Sequence, residues 1–339
     1  FGGEYRERSL REQSNEVALN QIKAQGVRGM PGALCPTVST CRFGGWNQGN
    51  FGEADARDNV KEGFIEAVVP VLKSQPLAET LELNGAYRYT HYKNSGGVST
   101  WKLGVTYAPF ADLRLRVARS RDTRAPNLFE MFAGPVNAFE PGIVDPVTNG
   151  TNLIIITRNQ GNPNLKPEKA DTLTLGAVYT PGWADGLSLS VDYYRIRISG
   201  ALSATTAQGT IDNCFAGNTQ ACSLVTRDAV TRDIQQVILQ QVNLDSRTAS
   251  GIDFDLSWRT DIGKGALSLR ALVTRTIDYT DTSGGVSTQV AGFFDAATNT
   301  TLPKWRGTLS ATYEHGPLTL FVQERMIGSY DQMPFVPGQ

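Results

Sequence analysis

Apolar and polar residues alternate one by one along several stretches of this chain. The clearest stretches are residues 81–89, 101–107, 113–118, 173–179, 252–259 and 305–313. Successive side chains of a β-strand point to opposite faces, so a period of two predicts a strand with one apolar and one polar face. This pattern predicts an all-β chain with about eleven strands.

The connections between these strands also alternate, in length. Short turns are predicted at residues 74–78, 109–112, 181–186, 261–265 and 314–317, and longer segments at residues 9–58, 123–166, 200–246 and 281–302, with a brief one at 94–98. Strands joined by tight turns are antiparallel, so the short turns fall at one end of the sheet and the long segments at the other. Several loops longer than about 12–15 residues on one side are unusual in a soluble sandwich.

Six aromatic residues on the apolar face lie near strand ends. They are Trp101, Tyr107, Tyr179, Trp258, Trp305 and Tyr313. Tyrosine and tryptophan suit a membrane–water boundary because they combine an apolar ring with a hydrogen-bonding group. The step from Trp305 to Tyr313 spans roughly 26 Å along a strand, or about 20 Å in height after a tilt of about 40°, near the apolar band of an outer-membrane barrel. We therefore predict an antiparallel transmembrane β-barrel with two aromatic belts.

Charged residues concentrate on the opposite face of these strands. They are Glu82, Arg88, Lys102, Arg114, Arg116, Asp253, Asp255, Arg259, Arg270 and Arg306. An arginine facing lipid at mid-bilayer costs about 2–4 kcal/mol, so this face is predicted to line a wet lumen. Arg119 interrupts the alternation, and Arg195 and Arg197 do the same after Tyr193. Either the strand has left the hydrocarbon there or it carries a bulge.

Composition and motifs narrow the function classes. The net charge of −1 gives no electrostatic case for nucleic acid binding. No run of 18 apolar residues predicts a transmembrane helix, and His91 and His315 stand alone, so no metal site is predicted. The G-x-S-x-G, H-E-x-x-H, Walker and Rossmann motifs are missing. Neither an enzyme nor a cofactor is expected.

Four cysteines lie in two of the long segments, Cys35 and Cys41 in one and Cys214 and Cys222 in the other. Their spacing does not match zinc ligation. In an oxidising compartment they would form disulfides. Sequence permits three connectivities, and proximity favours Cys35–Cys41 and Cys214–Cys222.

Long segments of the chain resemble the barrel of TonB-dependent outer-membrane receptors. The resemblance rests on SRDTRAPNLFEMFAGP (120–135), GNPNLKPEKADTLTLGAVYTP (161–181), NLDSRTASGIDFDLSWR (243–259) and DNVKEGFIEAVVPVL (58–72). It implies a bacterial outer-membrane importer with a barrel of about 22 strands closed by an N-terminal plug, which engages TonB through a separate segment and uses the inner-membrane proton gradient. No plug or TonB-contacting segment is recognised in these residues, so the chain is expected to form about half of such a barrel.

The resemblance also suggests roles for particular residues. Arg124, Pro126 and Asn127 are predicted to form a rim segment where a strand leaves the outer leaflet, either shaping the opening or fixing the loop fold. The charged lumen residues would dock the plug through ion pairs or line the path of an anionic solute. No ligand residue is carried over from the family.

The expected function is active import of a scarce nutrient such as a metal chelate, with a ferric siderophore the commonest cargo of the family. Its expected partners are TonB and outer-membrane lipid. Carbohydrate and cobalamin remain alternative cargoes. A passive porin and a soluble β-rich adhesion or carbohydrate-binding module remain alternative functions.

Overall fold

One large antiparallel sheet, hereafter the wall, dominates the structure. The computed structural model describes residues 1–14, 22–23, 42–43, 52–243, 246–283, 286–295 and 300–332. With strands numbered in chain order, the eleven successive strands of the wall are β1 (Gly2–Glu12), β4 (Ala54–Gln75), β5 (Ala78–Tyr92), β6 (Gly96–Phe110), β7 (Leu113–Arg124), β10 (Glu168–Tyr179), β11 (Leu187–Ser199), β16 (Ser246–Ile262), β17 (Gly265–Ser283), β21 (Trp305–His315) and β22 (Leu318–Ile327). A twelfth strand, β18 (Val286–Gln289), pairs only with β17. The prediction of an all-β chain built on a large antiparallel sheet is confirmed.

The connections at the two ends of the wall differ in length. At one end they are residues 76–77, 111–112, 180–186, 263–264 and 316–317, and at the other end residues 13–53, 93–95, 125–167, 200–245 and 284–304. The first long connection is shorter than the predicted 9–58, since β1 continues to Glu12 and β4 begins at Ala54. Both strand ends are rich in charged residues, which hides the alternation there.

The cross-strand register divides the wall into two faces. In β21, Leu309 lies beside Ala271 of β17, whereas the next residue, Ser310, lies beside Arg270. Similar pairings run through the other strands and define an apolar face and a polar face. The six predicted belt residues Trp101, Tyr107, Tyr179, Trp258, Trp305 and Tyr313 all lie on the apolar face.

The change from apolar to basic side chains along β7 involves no bulge. The pairing of β7 with β10 continues from Leu113 to Arg124 without a shift, so Arg119 stays on the apolar face. The pairing of β11 with β16 is also unshifted, and Arg195 and Arg197 remain on that face too. The bulge explanation is therefore wrong, and the chemistry of the face itself changes along these strands.

Two separate long connections combine into a small packed body, the outer-loop unit (residues 136–159 and 201–239). It contains β8 (Val136–Asp145), β9 (Gly150–Asn159), β13 (Val225–Arg227), β14 (Ile234–Leu239), α2 (Ala207–Phe215) and α3 (Thr219–Cys222). β9 and β14 come from different connections and pair in parallel. The core of the unit consists of Ile143, Ile155, Ala207, Ile211 and Val237. Burial of these apolar side chains stabilises the association of the two loops.

Shorter elements complete the connections. They are α1 (Leu128–Phe132), the pair β12 (Leu202–Ala204) and β15 (Gln241–Asn243), the group β19 (Phe293–Asp295), β20 (Thr300–Thr301) and β23 (Asp331–Gln332), and the pair β2 (Ile22–Lys23) and β3 (Arg42–Phe43). Across the described ranges, no helix has both the length and the apolar character that a membrane span requires.

Candidate functional site

The polar face of the wall carries a mixed set of charges. The register places on it all ten of the charged residues singled out from the sequence, Glu82, Arg88, Lys102, Arg114, Arg116, Asp253, Asp255, Arg259, Arg270 and Arg306. It also adds Arg6, Asp58, Glu62 and Asp192 to this face. These groups either pair within the wall or face the space beside it.

Glu62 is the centre of a charge network across three strands. Its carboxylate accepts hydrogen bonds from Arg6 Nη2 at 2.8 Å and Arg88 Nη1 at 3.0 Å. The Glu62 side chain is only 4 % exposed. Arg88 also stacks over the ring of Phe64, with 4.8 Å from Cζ to the ring centroid. A buried carboxylate is costly unless it is paired, so this network fixes the side chains that join β1, β4 and β5.

A second pair spans an entire strand. Arg116 of β7 donates two hydrogen bonds to Asp192 of β11, at 2.9 and 2.6 Å, and crosses over β10. Gly176 lies between them in the register. A Cβ atom at Gly176 would lie 2.6 Å from Arg116 Nε and also collide with the carboxylate of Asp192. The glycine therefore leaves the space that this bidentate pair occupies.

The remaining predicted charged residues differ in whether they have a partner within the wall. Arg270 donates to Asp255 at 3.3 Å, Thr274 donates to Asp253 at 2.7 Å, and Arg259 lies 3.8 Å from Glu314. Four of the ten residues form neither a salt bridge nor a side-chain hydrogen bond within the described part of the chain, namely Glu82, Lys102, Arg114 and Arg306. Their charges are thus available to a neighbouring domain or solute.

The rim segment is held by bonds within the protein. Arg124 donates to Glu168 at 2.6 Å and to Glu130 at 3.0 Å. Asn127 caps α1 by accepting from the Glu130 backbone N–H, and the Glu130 carboxylate accepts from the Asn127 N–H in return. Pro126 is fully buried. These contacts favour a role in fixing the loop fold.

The start of β10 is anchored to the same rim. Asn162 donates from its amide to the Gln241 carbonyl oxygen at 2.9 Å, and Asn243 accepts from the Lys166 backbone N–H at 2.9 Å. Leu165 between them is 1 % exposed. The segment 161–168 therefore docks against β15, which follows the second half of the outer-loop unit.

A buried ion pair joins the two halves of the outer-loop unit. Arg227 donates two hydrogen bonds to Asp145, at 2.7 and 2.8 Å. The Asp145 side chain is fully buried, and it also accepts from Thr148 and from the Val147 N–H. The hydrogen bond from Arg227 holds the pKa of Asp145 below its ordinary value, against the opposing effect of burial.

The outer-loop unit also contains a disulfide bond. It joins Cys214 in α2 to Cys222 in α3, which is the pairing that proximity favours. Closing such a short loop constrains the unfolded chain. Cys35 and Cys41 lie outside the described residues, so their predicted pairing stays a prediction.

Belt residues on the apolar face are oriented by the short turns. Tyr107 donates to the Leu77 carbonyl oxygen at 2.5 Å, and Tyr313 lies within 3.4 Å of the Ile262 carbonyl oxygen. Each tyrosine thus directs its hydroxyl to a turn and its ring to the apolar face. This division suits a membrane boundary.

Sequence reasoning missed the charges whose partners lie far away along the chain. Glu62 lies in a long β4 segment where apolar residues occur on both faces, so the period is blurred. Asp192 was not singled out because its partner, Arg116, is distant in sequence. Asp145 and Arg227 lie in two different loops, and no local sequence pattern predicts that these loops pack together.

Comparison with known proteins decides the family. The β-barrel model of the TonB-dependent receptor-like family matches residues 35–335. The chain belongs to the TonB-dependent receptor family. Members of this family are receptors of the outer membrane rather than enzymes, and the match covers the β-barrel portion.

Solved structures of the family share the fold at low sequence identity. A variant of the ferric enterobactin receptor PfeA from Pseudomonas aeruginosa is 14 % identical with a TM-score of 0.58, and the alignment covers 95 % of this chain and 37 % of that one. The siderophore receptor PirA from Acinetobacter baumannii is 14 % identical with a TM-score of 0.59, covering 97 % and 40 %. The chain therefore spans less than half the length of these receptors. No curated protein sequence matched it.

Proposed function

We propose that this chain forms part of the barrel wall of a TonB-dependent receptor that actively imports a scarce nutrient, with a ferric siderophore as the favoured cargo. The observation that carries the proposal is the two-faced wall. Its apolar face has aromatic residues near both ends, and its polar face has charges along its length. Such a sheet suits a barrel with lipid outside and water inside.

The polar face would line the interior of this barrel. There, the network at Glu62 joins three adjacent strands, and the Arg116–Asp192 pair joins β7 to β11 across β10. Glu82, Lys102, Arg114 and Arg306 have no salt-bridge partner in the described ranges, and they suit docking of a plug domain or contact with a passing solute. A plug would distinguish this receptor from an open porin.

The charge balance of these four residues favours an anionic cargo. Three carry a positive charge and one a negative charge, and arginine in particular suits anionic oxygen groups. An anionic metal chelate fits this balance better than a neutral carbohydrate does. The solved relatives are described as ferric enterobactin and siderophore receptors, which is consistent with that choice but at 14 % identity does not identify the chelate.

Uptake measured in cells tests this proposal. A strain lacking the full-length receptor gene is supplied with radioactive iron on a panel of ferric siderophores, and separately with labelled cobalamin and oligosaccharides. We expect the receptor to restore uptake of at least one ferric siderophore, and only when TonB is present. Uptake that continues without TonB would indicate a passive pore, and restored uptake of only carbohydrate or cobalamin would contradict the proposed cargo.

A further inference from the structure

Basic side chains cluster on the apolar face toward the long-loop end of the wall. Arg119 of β7 lies opposite Leu173 of β10, and Leu173 lies opposite Arg195 of β11. Two residues further along, Arg121, Asp171 and Arg197 form a second row, and Lys169 lies in a third. We define the basic patch as Arg119, Arg121, Lys169, Arg195 and Arg197.

The patch is not neutralised by the protein. On β7, β10 and β11 its single acidic neighbour in these rows is Asp171, which is already engaged by Arg121 through hydrogen bonds of 2.9 and 2.8 Å. Arg119, Lys169, Arg195 and Arg197 are exposed. Within the described residues, none of these four forms a salt bridge. Five basic groups and one acidic group leave a net charge of about +4 in the part of these rows that lies on β7, β10 and β11.

The patch begins where the apolar surface ends. The row immediately before Arg119 and Arg195 consists of Val117, Leu175 and Tyr193, all on the same face. On the other side, Arg121 lies opposite Trp101, an aromatic residue near the long-loop end. Tryptophan favours the headgroup level of a membrane, and arginine side chains reach from there toward water. The patch thus lies at the height where acyl chains give way to headgroups.

We propose that the basic patch binds the phosphate groups of an anionic glycolipid of the outer leaflet, with the acyl chains lying on the apolar rows below; this rests on the proposed function, which places that face in the outer membrane. Neighbouring strands are separated by about 4.8 Å, so Arg119 and Arg195 flank Leu173 at about 10 Å from each other. Two guanidinium groups at that spacing can grip one phosphate from both sides or two adjacent phosphates. Each guanidinium offers the paired N–H groups that match phosphate oxygens.

The surrounding surface favours a lipid over a soluble anion. A free phosphate needs only the charges, whereas a lipid also uses the apolar surface next to them. Val117 and Leu175 provide this surface within one row of the arginines. Charge and apolar contact are therefore arranged in the order in which a phosphorylated lipid presents them.

Native mass spectrometry of the full-length receptor in neutral detergent tests the proposal, with added diphosphoryl lipid A as the probe. The test variant is Arg119→Gln with Arg195→Gln, and the matched control is Lys102→Gln with Arg114→Gln, which removes two charges from the polar face of neighbouring strands. We expect the test variant to bind lipid A more weakly by roughly fivefold for each arginine removed. The control should bind as the unmodified receptor does. Arg119→Lys with Arg195→Lys should bind more tightly than the glutamine variant but less tightly than the unmodified receptor, because lysine keeps the charge and lacks the paired N–H groups.

Equal binding by the test variant and the unmodified receptor would overturn the proposal. So would equal binding of dephosphorylated lipid A, or displacement of the lipid by millimolar inorganic phosphate, which would indicate a site for free anions. If the glutamine variant does not assemble, the comparison of phosphorylated with dephosphorylated lipid on the unmodified receptor still decides. Lipid binding in detergent does not depend on nutrient uptake, so an incorrect cargo would leave the lipid A result unaffected. Membrane fractionation reports separately whether the receptor is in the outer membrane.

Discussion

At the scale of single residues, the wall depends on a few carboxylates that join strands through arginine. The Glu62 side chain on the polar face is almost fully enclosed, and its carboxylate pairs with two arginines from the strands on either side. Asp192 reaches its partner over an intervening strand because Gly176 leaves room. In both cases a carboxylate pairs with arginine side chains that remain partly exposed.

Replacing Glu62 should therefore weaken the wall. We expect Glu62→Gln to lower the free energy of unfolding by about 1–2 kcal/mol, because Arg6 and Arg88 lose their shared counter-charge while staying partly solvated. Urea unfolding of the full-length receptor in lipid vesicles measures this. Glu66→Gln is the matched control, since Glu66 lies on the same strand and face and is exposed. Equal losses in the two variants would show that the network contributes nothing specific.

Neighbouring residues of one strand should also tolerate charge very differently. Leu309 lies on the apolar face and Ser310 on the polar face of β21. An arginine facing the middle of the bilayer costs about 2–4 kcal/mol, whereas one facing the lumen costs little. We expect Leu309→Arg to reduce the amount of assembled, heat-modifiable receptor strongly and Ser310→Arg to leave it nearly unchanged. Similar yields for both would contradict the assignment of the faces.

At the scale of elements, the outer-loop unit is the feature that local sequence did not reveal. The parallel pairing of β9 with β14 joins Thr157 to Val237, from two different connections. The buried Asp145–Arg227 pair and the small apolar core stabilise this association. The two outer loops therefore form one packed body instead of two independent loops.

The Asp145–Arg227 pair should make this unit sensitive to strong acid. The folded pKa of Asp145 is lowered, so its stabilising contribution is complete above the unfolded pKa of about 3.9 and is lost as the pH falls through the lower folded value. We expect hydrogen exchange in residues 225–239 to be slow from pH 7 to pH 5, after correction for intrinsic rates, and to accelerate below about pH 4.

The Asp145→Asn variant should show accelerated exchange already at pH 7, because Arg227 is left largely buried without its counter-charge. Asp233→Asn changes the same residue type in the same unit at an exposed side chain that forms no salt bridge in the described residues, and it should leave the profile unchanged. An Asp145→Asn protein with normal protection at pH 7 would exclude a role for this pair in holding the two loops together.

At the scale of the whole molecule, the features that could be predicted from sequence are those set by the different surroundings of the two faces of the wall. Alternation in strands such as β6 and β21 is visible because adjacent side chains meet different surroundings. The end of the wall with short connections could be predicted because those connections contain typical turn residues. The ten charged residues were assigned to one face by the same reasoning.

Long-range partners were not predictable in this way. The Glu62 network requires knowledge of which strands flank β4, and the outer-loop unit requires a contact between distant loops. Arg119 was ambiguous from sequence because a bulge and a change of environment produce the same local pattern. Only the unshifted pairing of β7 with β10 separates them, and that result leads to the proposed lipid-binding patch.

The central claim is that the two faces of this wall meet lipid and water respectively. A spin-label scan through residues 306–312 of the full-length receptor in lipid vesicles tests it most directly. We predict that labels at 307, 309 and 311 collide mainly with oxygen, which dissolves in lipid, and that labels at 306, 308, 310 and 312 collide mainly with a water-soluble nickel chelate. Collision profiles without a period of two, or with the two sets reversed, would contradict the two-faced barrel wall.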